Sequence, residues 1–225
     1  MLSTRAGKEA YVEPVIENLS IVVPDEGYLA AVRAACDEHG ILLIFDEVQS
    51  GVGRTGRMWA CQHSGVKPDI MTSAKGLGSG MPIGAIIAKK QIMEHWKRGA
   101  HGNTFGGNPL SCAAAIATLD LVQSEYAANA ARVGEHFMGR LREMQRDYPC
   151  IGEVRGRGLM IGMELVENDA ERTPARALCD RLVTRGYHNG LLLLACGVST
   201  LRFMPPLSTT IAEVDEAIGL LRNSL

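Results

Sequence analysis

The run Ile41–Val48, ILLIFDEV, constrains the fold more than any other stretch of this 225-residue chain. Its five consecutive apolar residues, Ile41 to Phe45, read as a β-strand covered on both faces, which is the habit of parallel sheets rather than of half-solvated antiparallel ones. Residues 24–40 precede it with helical spacing in Leu29, Val32, Ala35 and Cys36 and a glycine stop at Gly40. Helix followed by buried strand predicts a parallel α/β unit. The run ends on Asp46 and Glu47, and alternation along a strand sends these two carboxylates to opposite faces.

Further strands are predicted over Ala10–Pro14, Asp69–Ala74 and Ile83–Ala88, the last two joined by the glycine-rich turn KGLGSGMP. A mainly parallel sheet follows from this order. From Asn108, a good N-cap, and Pro109 at the first helical position, a long helical region runs to Tyr148, with a break expected near 126–129. After Pro149 come short strands and helices: EVRGRGLMIGMELV, a helix over 174–185, LLLLACG, TLRFMPP and a closing helix from Thr210. The expected organisation is a partial large α/β domain over 1–126, a connecting helix over 127–149 and a small α+β domain over 150–225. There is no internal repeat and no low-complexity segment.

The formal charge is -2, from 23 basic and 25 acidic residues interspersed along the chain, so no basic block is present to neutralise a phosphate backbone. Nucleic acid is not an expected partner. No apolar run reaches the ~18 residues a bilayer crossing needs, and the start lacks a secretory apolar region, so a cytoplasmic protein with no membrane association is expected. The six cysteines lack zinc or disulfide spacing and read as buried free thiols. Nor do the six histidines show metal spacing, and no metal is expected. GVGRTG, residues 51–56, matches a dinucleotide-binding glycine pattern, but DEVQS separates it from the strand and RMWACQHSG makes a poor crossover helix. It reads as a loop.

Two charged residues stand where parallel sheets place ligands, at the carboxyl ends of strands: Asp46 after ILLIF and Lys75 after DIMTSA. A lysine entering a glycine-rich turn from a buried strand is expected to keep its stem in apolar surroundings, which favours a nucleophilic amine. Pyridoxal phosphate chemistry needs such an amine and an acid for its ring nitrogen. The same pattern also suits a plain ion pair at the rim of a sheet.

The strings FDEVQSGVGRTG, PDIMTSAKGLGSGMPIGAI, GNTFGGNPLSCAAA, EVRGRGLMIGMEL and LRFMPPL, in this order, resemble class III aminotransferases, the ω-amino acid group that includes 4-aminobutyrate aminotransferase. Asp46, Lys75 and Thr104 follow one another at intervals of 29 residues, as in that family. The resemblance implies a fold-type I pyridoxal-phosphate-dependent transferase. By it, Lys75 holds the cofactor as a Schiff base, Asp46 partners the ring nitrogen and Gln49 lies against the ring hydroxyl. Thr104 gives its hydroxyl to the phosphate of a cofactor bound by a neighbouring subunit, which implies a homodimer with shared active sites. Arg202 in LRFMPPL clamps the substrate carboxylate, a task for a planar bidentate donor. The implied reaction moves an amino group from an ω-amino acid or amine, such as 4-aminobutyrate, to a 2-oxo acid such as 2-oxoglutarate. A racemase, an aminomutase or a decarboxylase shares the same cofactor motifs. A non-catalytic dimerising fragment is the reading from another class.

Family members are roughly twice this long, and the N-terminal half that is absent here carries the phosphate-binding helix terminus and the aromatic that stacks on the ring. The chain by itself is therefore expected to hold the cofactor poorly and to lack transaminase activity. After Glu13-Pro14 the family has a Gln-Gly-Glu-Gly-like loop, where this chain has VIENLS. Glu17 stands one position from the family's switching glutamate and Asn18 takes its place, so the resemblance does not carry a dual-substrate switch over to this chain.

Overall fold

The structure is a computed structural model that describes residues 9–15, 21–167 and 170–225. Glu17 and Asn18 lie outside the described residues. The described residues divide into two compact units, one from residues 9–14, 24–53 and 57–125, the other from 15, 21–23, 54–56, 126–167 and 170–225.

The first unit carries a four-stranded sheet in the order β1 (Glu9–Val12), β2 (Leu42–Asp46), β3 (Ile70–Ser73) and β4 (Ala85–Ala88). β1–β2 and β2–β3 are parallel, with Asp46 opposite Thr72, while β4 runs antiparallel at the edge. The sheet is mainly parallel as expected. β4 departs because KGLGSGMP folds into a 3-10 turn over Lys75–Gly78, and so short a connection cannot carry the crossover that a parallel neighbour needs.

Helix α1 (Tyr28–Glu38) buries Leu29, Val32 and Cys36 against Ala10, Val12, Leu43 and Phe45. It ends in a Schellman motif: Gly40 takes φ +62, the Ile41 amide donates to the Cys36 carbonyl (2.8 Å) and the Gly40 amide to that of Asp37 (3.3 Å). Only one face of β2 is covered among the described residues. Leu43 and Phe45 are sealed, whereas Leu42 is 38% exposed and Ile44 half-buried. The two-sided burial expected of ILLIFDEV is corrected accordingly.

Asp69, just before β3, ties this unit together. Its carboxylate accepts from the Leu43 amide (2.8 Å), Arg33 (2.7 Å) and Lys89 (2.5 Å). Burial alone would raise its pKa, but the bonds from Lys89, the Leu43 amide and Arg33 outweigh that and hold it at about 2. After the short helix α2 (Lys90–Met93), α3 (Pro109–Leu121) begins as predicted, with Asn108 Oδ1 accepting from the Ser111 amide (2.9 Å) and Pro109 in the first turn. The expected break is a π-helical turn over Val122–Tyr126, slightly earlier than 126–129, and the helix resumes as α4 (Ala127–Asp147).

The second unit is an antiparallel sheet, β5 (Ile151–Arg157), β6 (Met160–Leu165), β8 (Thr200–Phe203) and β7 (Leu194–Cys196), in that spatial order. Helices α4, α5 (Arg176–His188) and α6 (Ile211–Ser224) bury Val133, Phe137, Leu141, Cys179, Leu182 and Ile218 against Ile161, Met163, Leu165 and Leu201. Phe137 meets Phe203 edge-on at 5.2 Å between ring centres. Thr210 caps α6 reciprocally with Glu213 (3.3 and 2.8 Å). All six cysteines are free, with Cys36, Cys61 and Cys179 buried and the other three only partly so. No helix among the described residues is long and apolar enough to cross a membrane.

Candidate active site

The ends of β2 and β3 bring three of the predicted residues together. Asp46 is the last residue of β2, Gln49 follows it, and Lys75 lies two residues beyond β3. Thr72 Oγ1 donates to Asp46 Oδ1 (3.0 Å) across the β2–β3 ladder, and Lys75 Nζ donates to Gln49 Oε1 just beyond it. Two parallel strands thus present a carboxylate, an amide and a primary amine at their carboxyl edge, where open α/β sheets bind ligands.

Asp46 is held by more than its neighbour strand. Its Oδ1 also accepts from the Val48 amide (2.9 Å), and its Oδ2 accepts from the Tyr11 hydroxyl of β1. Tyr11 pairs in register with Ile44, so Asp46 lies two residues further along on the same face, within reach of a long side chain. Burial and, next, the bond to Asp46 push the Tyr11 phenol up to about 12. Tyr11 and Thr72 were not singled out from the sequence. Strand alternation could have placed each on the Asp46 face, but the register that sets them beside its carboxylate is not written in the local pattern.

Glu47 turns to the opposite face, as alternation predicts, and is fully buried there. It accepts from Ser50 Oγ (2.8 Å) and from the amides of Ala60 (3.0 Å) and Cys61 (2.8 Å), which pins the loop after β2. Burial raises its pKa against the opposing pull of these bonds. GVGRTG is a loop, with Val52 at φ +52 and Gly53 at φ +82, and only a 3-10 turn, Ala60–His63, follows it.

Lys75 departs from its expected setting. It is exposed, with φ +45, in the first position of the 3-10 turn, and its amine is engaged by the Gln49 amide rather than enclosed by apolar side chains. The polypeptide leaves the sheet at Ala74, so the lysine stem starts outside the layer that the strand buries. Thr104 is exposed on the stretch leading into α3 and, among the described residues, bonds to none of the three. Arg202 belongs to the second unit, half-buried on β8 opposite Gly162 of β6 and Leu194 of β7.

Comparison with known proteins defines the class. The model of the class-III aminotransferases matches residues 10–225, and the chain belongs to that family. It is 43% identical over 210 residues to an acetylornithine aminotransferase of Corynebacterium efficiens, covering 93% of this chain and 49% of the relative. It is 42% identical over 214 residues to ornithine aminotransferase 2 of Staphylococcus aureus, covering 94% and 51%. Among solved structures, an amine transaminase from an uncultivated Pseudomonas species, described in its PLP-bound internal-aldimine form, superposes with a TM-score of 0.89 at 36% identity, covering 95% and 51%. The chain spans about half the length of the curated relatives it matches.

Proposed function

We propose that this chain supplies the lysine-bearing part of a pyridoxal-phosphate-dependent transaminase that moves an amino group from an ω-amino acid or amine to a 2-oxo acid. The observation that carries this reading is the convergence of Asp46, Gln49 and Lys75 on the carboxyl edge of two adjacent parallel strands. The first unit is then part of the large cofactor-binding domain, and the second is the small C-terminal domain.

The residues fit the cofactor's ring and aldehyde ends. A carboxylate has about four acceptor positions, and Asp46 spends three of them on Thr72, Val48 and Tyr11. One remains for a ring N–H. When bound, pyridoxal phosphate supplies an electron sink, a protonated ring that takes up the electron pair released at the substrate carbon. Asp46 keeps the ring proton in place by its charge. Gln49, already bonded to Lys75, orients the lysine beside the ring hydroxyl. The Lys75 amine would hold the cofactor at its aldehyde carbon and, once released, would take and return a proton at the substrate carbon, the work of a positioned base. Arg202 receives a substrate carboxylate. The exposure of Thr104 suits a hydroxyl given to the phosphate site of a second subunit, and hence a homodimer.

The names of the relatives favour a donor of the ornithine type over 4-aminobutyrate. Both carry a primary amine at the end of a short carbon chain, so one pocket chemistry accommodates either. The test is a donor panel on the protein purified as its gene encodes it, supplied with pyridoxal phosphate and 2-oxoglutarate. Glutamate should form from ornithine or N-acetylornithine, and faster than from 4-aminobutyrate. Racemisation or decarboxylation of an amino acid without glutamate formation would replace transamination as the reading.

A further inference from the structure

The bond from Tyr11 to Asp46 has no place in the reading above beyond occupying an acceptor. Tyr11 alternates with Ala10 and Val12, which are buried in the α1-side core, so its ring lies on the opposite, open face of the sheet that Asp46 and Thr72 share. An exposed tyrosine on a strand is ordinarily just a surface aromatic. This one directs its only strong donor at the carboxylate that ends the neighbouring strand.

The distribution of donors over the two oxygens matters. Oδ1 takes two, from Thr72 Oγ1 (3.0 Å) and the Val48 amide (2.9 Å), and is filled. Both of these anchors sit on one oxygen, so by themselves they leave Oδ2 without a direct hold, free to shift as the carboxylate rocks about its Cβ–Cγ bond. The Tyr11 hydroxyl, arriving from β1 on the other side, holds Oδ2 and removes that freedom. A hydrogen bond to an ionised acceptor is roughly twice as strong as one between neutral groups.

We propose that Tyr11 is a positioning residue of this site: its hydroxyl fixes Asp46 Oδ2 so that the carboxylate offers a single, oriented acceptor position to a cationic ring N–H. The inference rests on the proposed role of Asp46, and it deepens that role by naming what holds the acid. The raised phenol pKa is consistent with a proton kept between the two oxygens.

The test uses the chain labelled with [ζ-13C]tyrosine at neutral pH. Of its five tyrosines, the Tyr11 resonance is the one lost in Tyr11→Phe. It should shift in Asp46→Ala and also in Asp46→Asn, which keeps the local shape that alanine removes, while the other four hold their positions. A Tyr11 resonance unmoved by both substitutions overturns the proposal.

A second arm adds pyridoxal phosphate labelled with 15N in the ring to the protein purified as its gene encodes it. Tyr11→Phe should displace the ring-nitrogen resonance and weaken cofactor binding about tenfold, the scale of one hydrogen bond to a charged group. A ring resonance displaced by Asp46→Asn but not by Tyr11→Phe leaves Tyr11 a structural residue and overturns the proposal. A ring resonance that Asp46→Asn does not displace instead overturns the reading of Asp46 itself, an outcome the carbon arm does not depend on.

Discussion

In the protein purified as its gene encodes it, Asp46→Asn should lower amino transfer by at least about a hundredfold and leave the protein folded. One preorganised charge facing a reacting group commonly accounts for a factor of that size, and here the charge also keeps the ring proton on which electron withdrawal depends. The asparagine amide preserves most of the local contacts. Its oxygen still accepts from Thr72 and the Val48 amide, and its nitrogen can donate to the Tyr11 oxygen, which reverses its role. The loss should therefore appear in kcat with little change in thermal midpoint. Turnover within a few-fold of the unmodified protein would place the ring acid elsewhere.

Gly134→Ala should have the largest effect on stability. Gly134 lies inside α4, where alanine ordinarily gains about 1 kcal/mol over glycine in helix propensity. Contact reverses the sign. A Cβ there would stand 2.0 Å from the Gly158 carbonyl oxygen and 2.3 Å from its carbon, in the turn between β5 and β6. Gly158 has φ +54, and its own Cβ would meet the Thr55 carbonyl carbon at 2.5 Å, so three backbone segments of the second unit are stacked without room for a side chain. The Leu159 amide bonds to the Arg54 carbonyl (3.0 Å), and Arg54 Nη1 donates to the Pro205 carbonyl (2.5 Å), which locks that arrangement. Burial lowers the Arg54 guanidinium to about 10, because loss of water disfavours its charged form. Overpacking against backbone that cannot yield costs about 3 kcal/mol or more. For a chain of this size that is a fall of roughly 6 to 12 °C in the melting temperature. A rise in Tm would mean that α4 can move away from the β5–β6 turn.

Much of this is legible in the amino-acid sequence. Apolar runs bounded by turns mark every strand of the first unit, and caps mark the starts of α3 and α6, because Asn108, Pro109 and Thr210 satisfy helix termini by local chemistry. The position of Asp46 and Lys75 at strand ends was equally local. What the local pattern could not carry was pairing. The direction of β4 depended on how tightly KGLGSGMP turns, the partners Tyr11 and Thr72 depended on inter-strand register, and the one-sided cover of β2 depended on which elements pack on the sheet. The setting of Lys75 was misjudged for the same reason. Its neighbours in sequence are apolar, but the residue it meets is Gln49, 26 positions away.

The most direct test of the account is covalent mapping of the cofactor. The protein purified as its gene encodes it is loaded with pyridoxal phosphate, reduced with borohydride, digested and sequenced by mass spectrometry. A single pyridoxyl-modified peptide containing Lys75 is expected, and no such peptide from Lys75→Ala. A label on Lys67, Lys89 or Lys90 in place of Lys75 would contradict it.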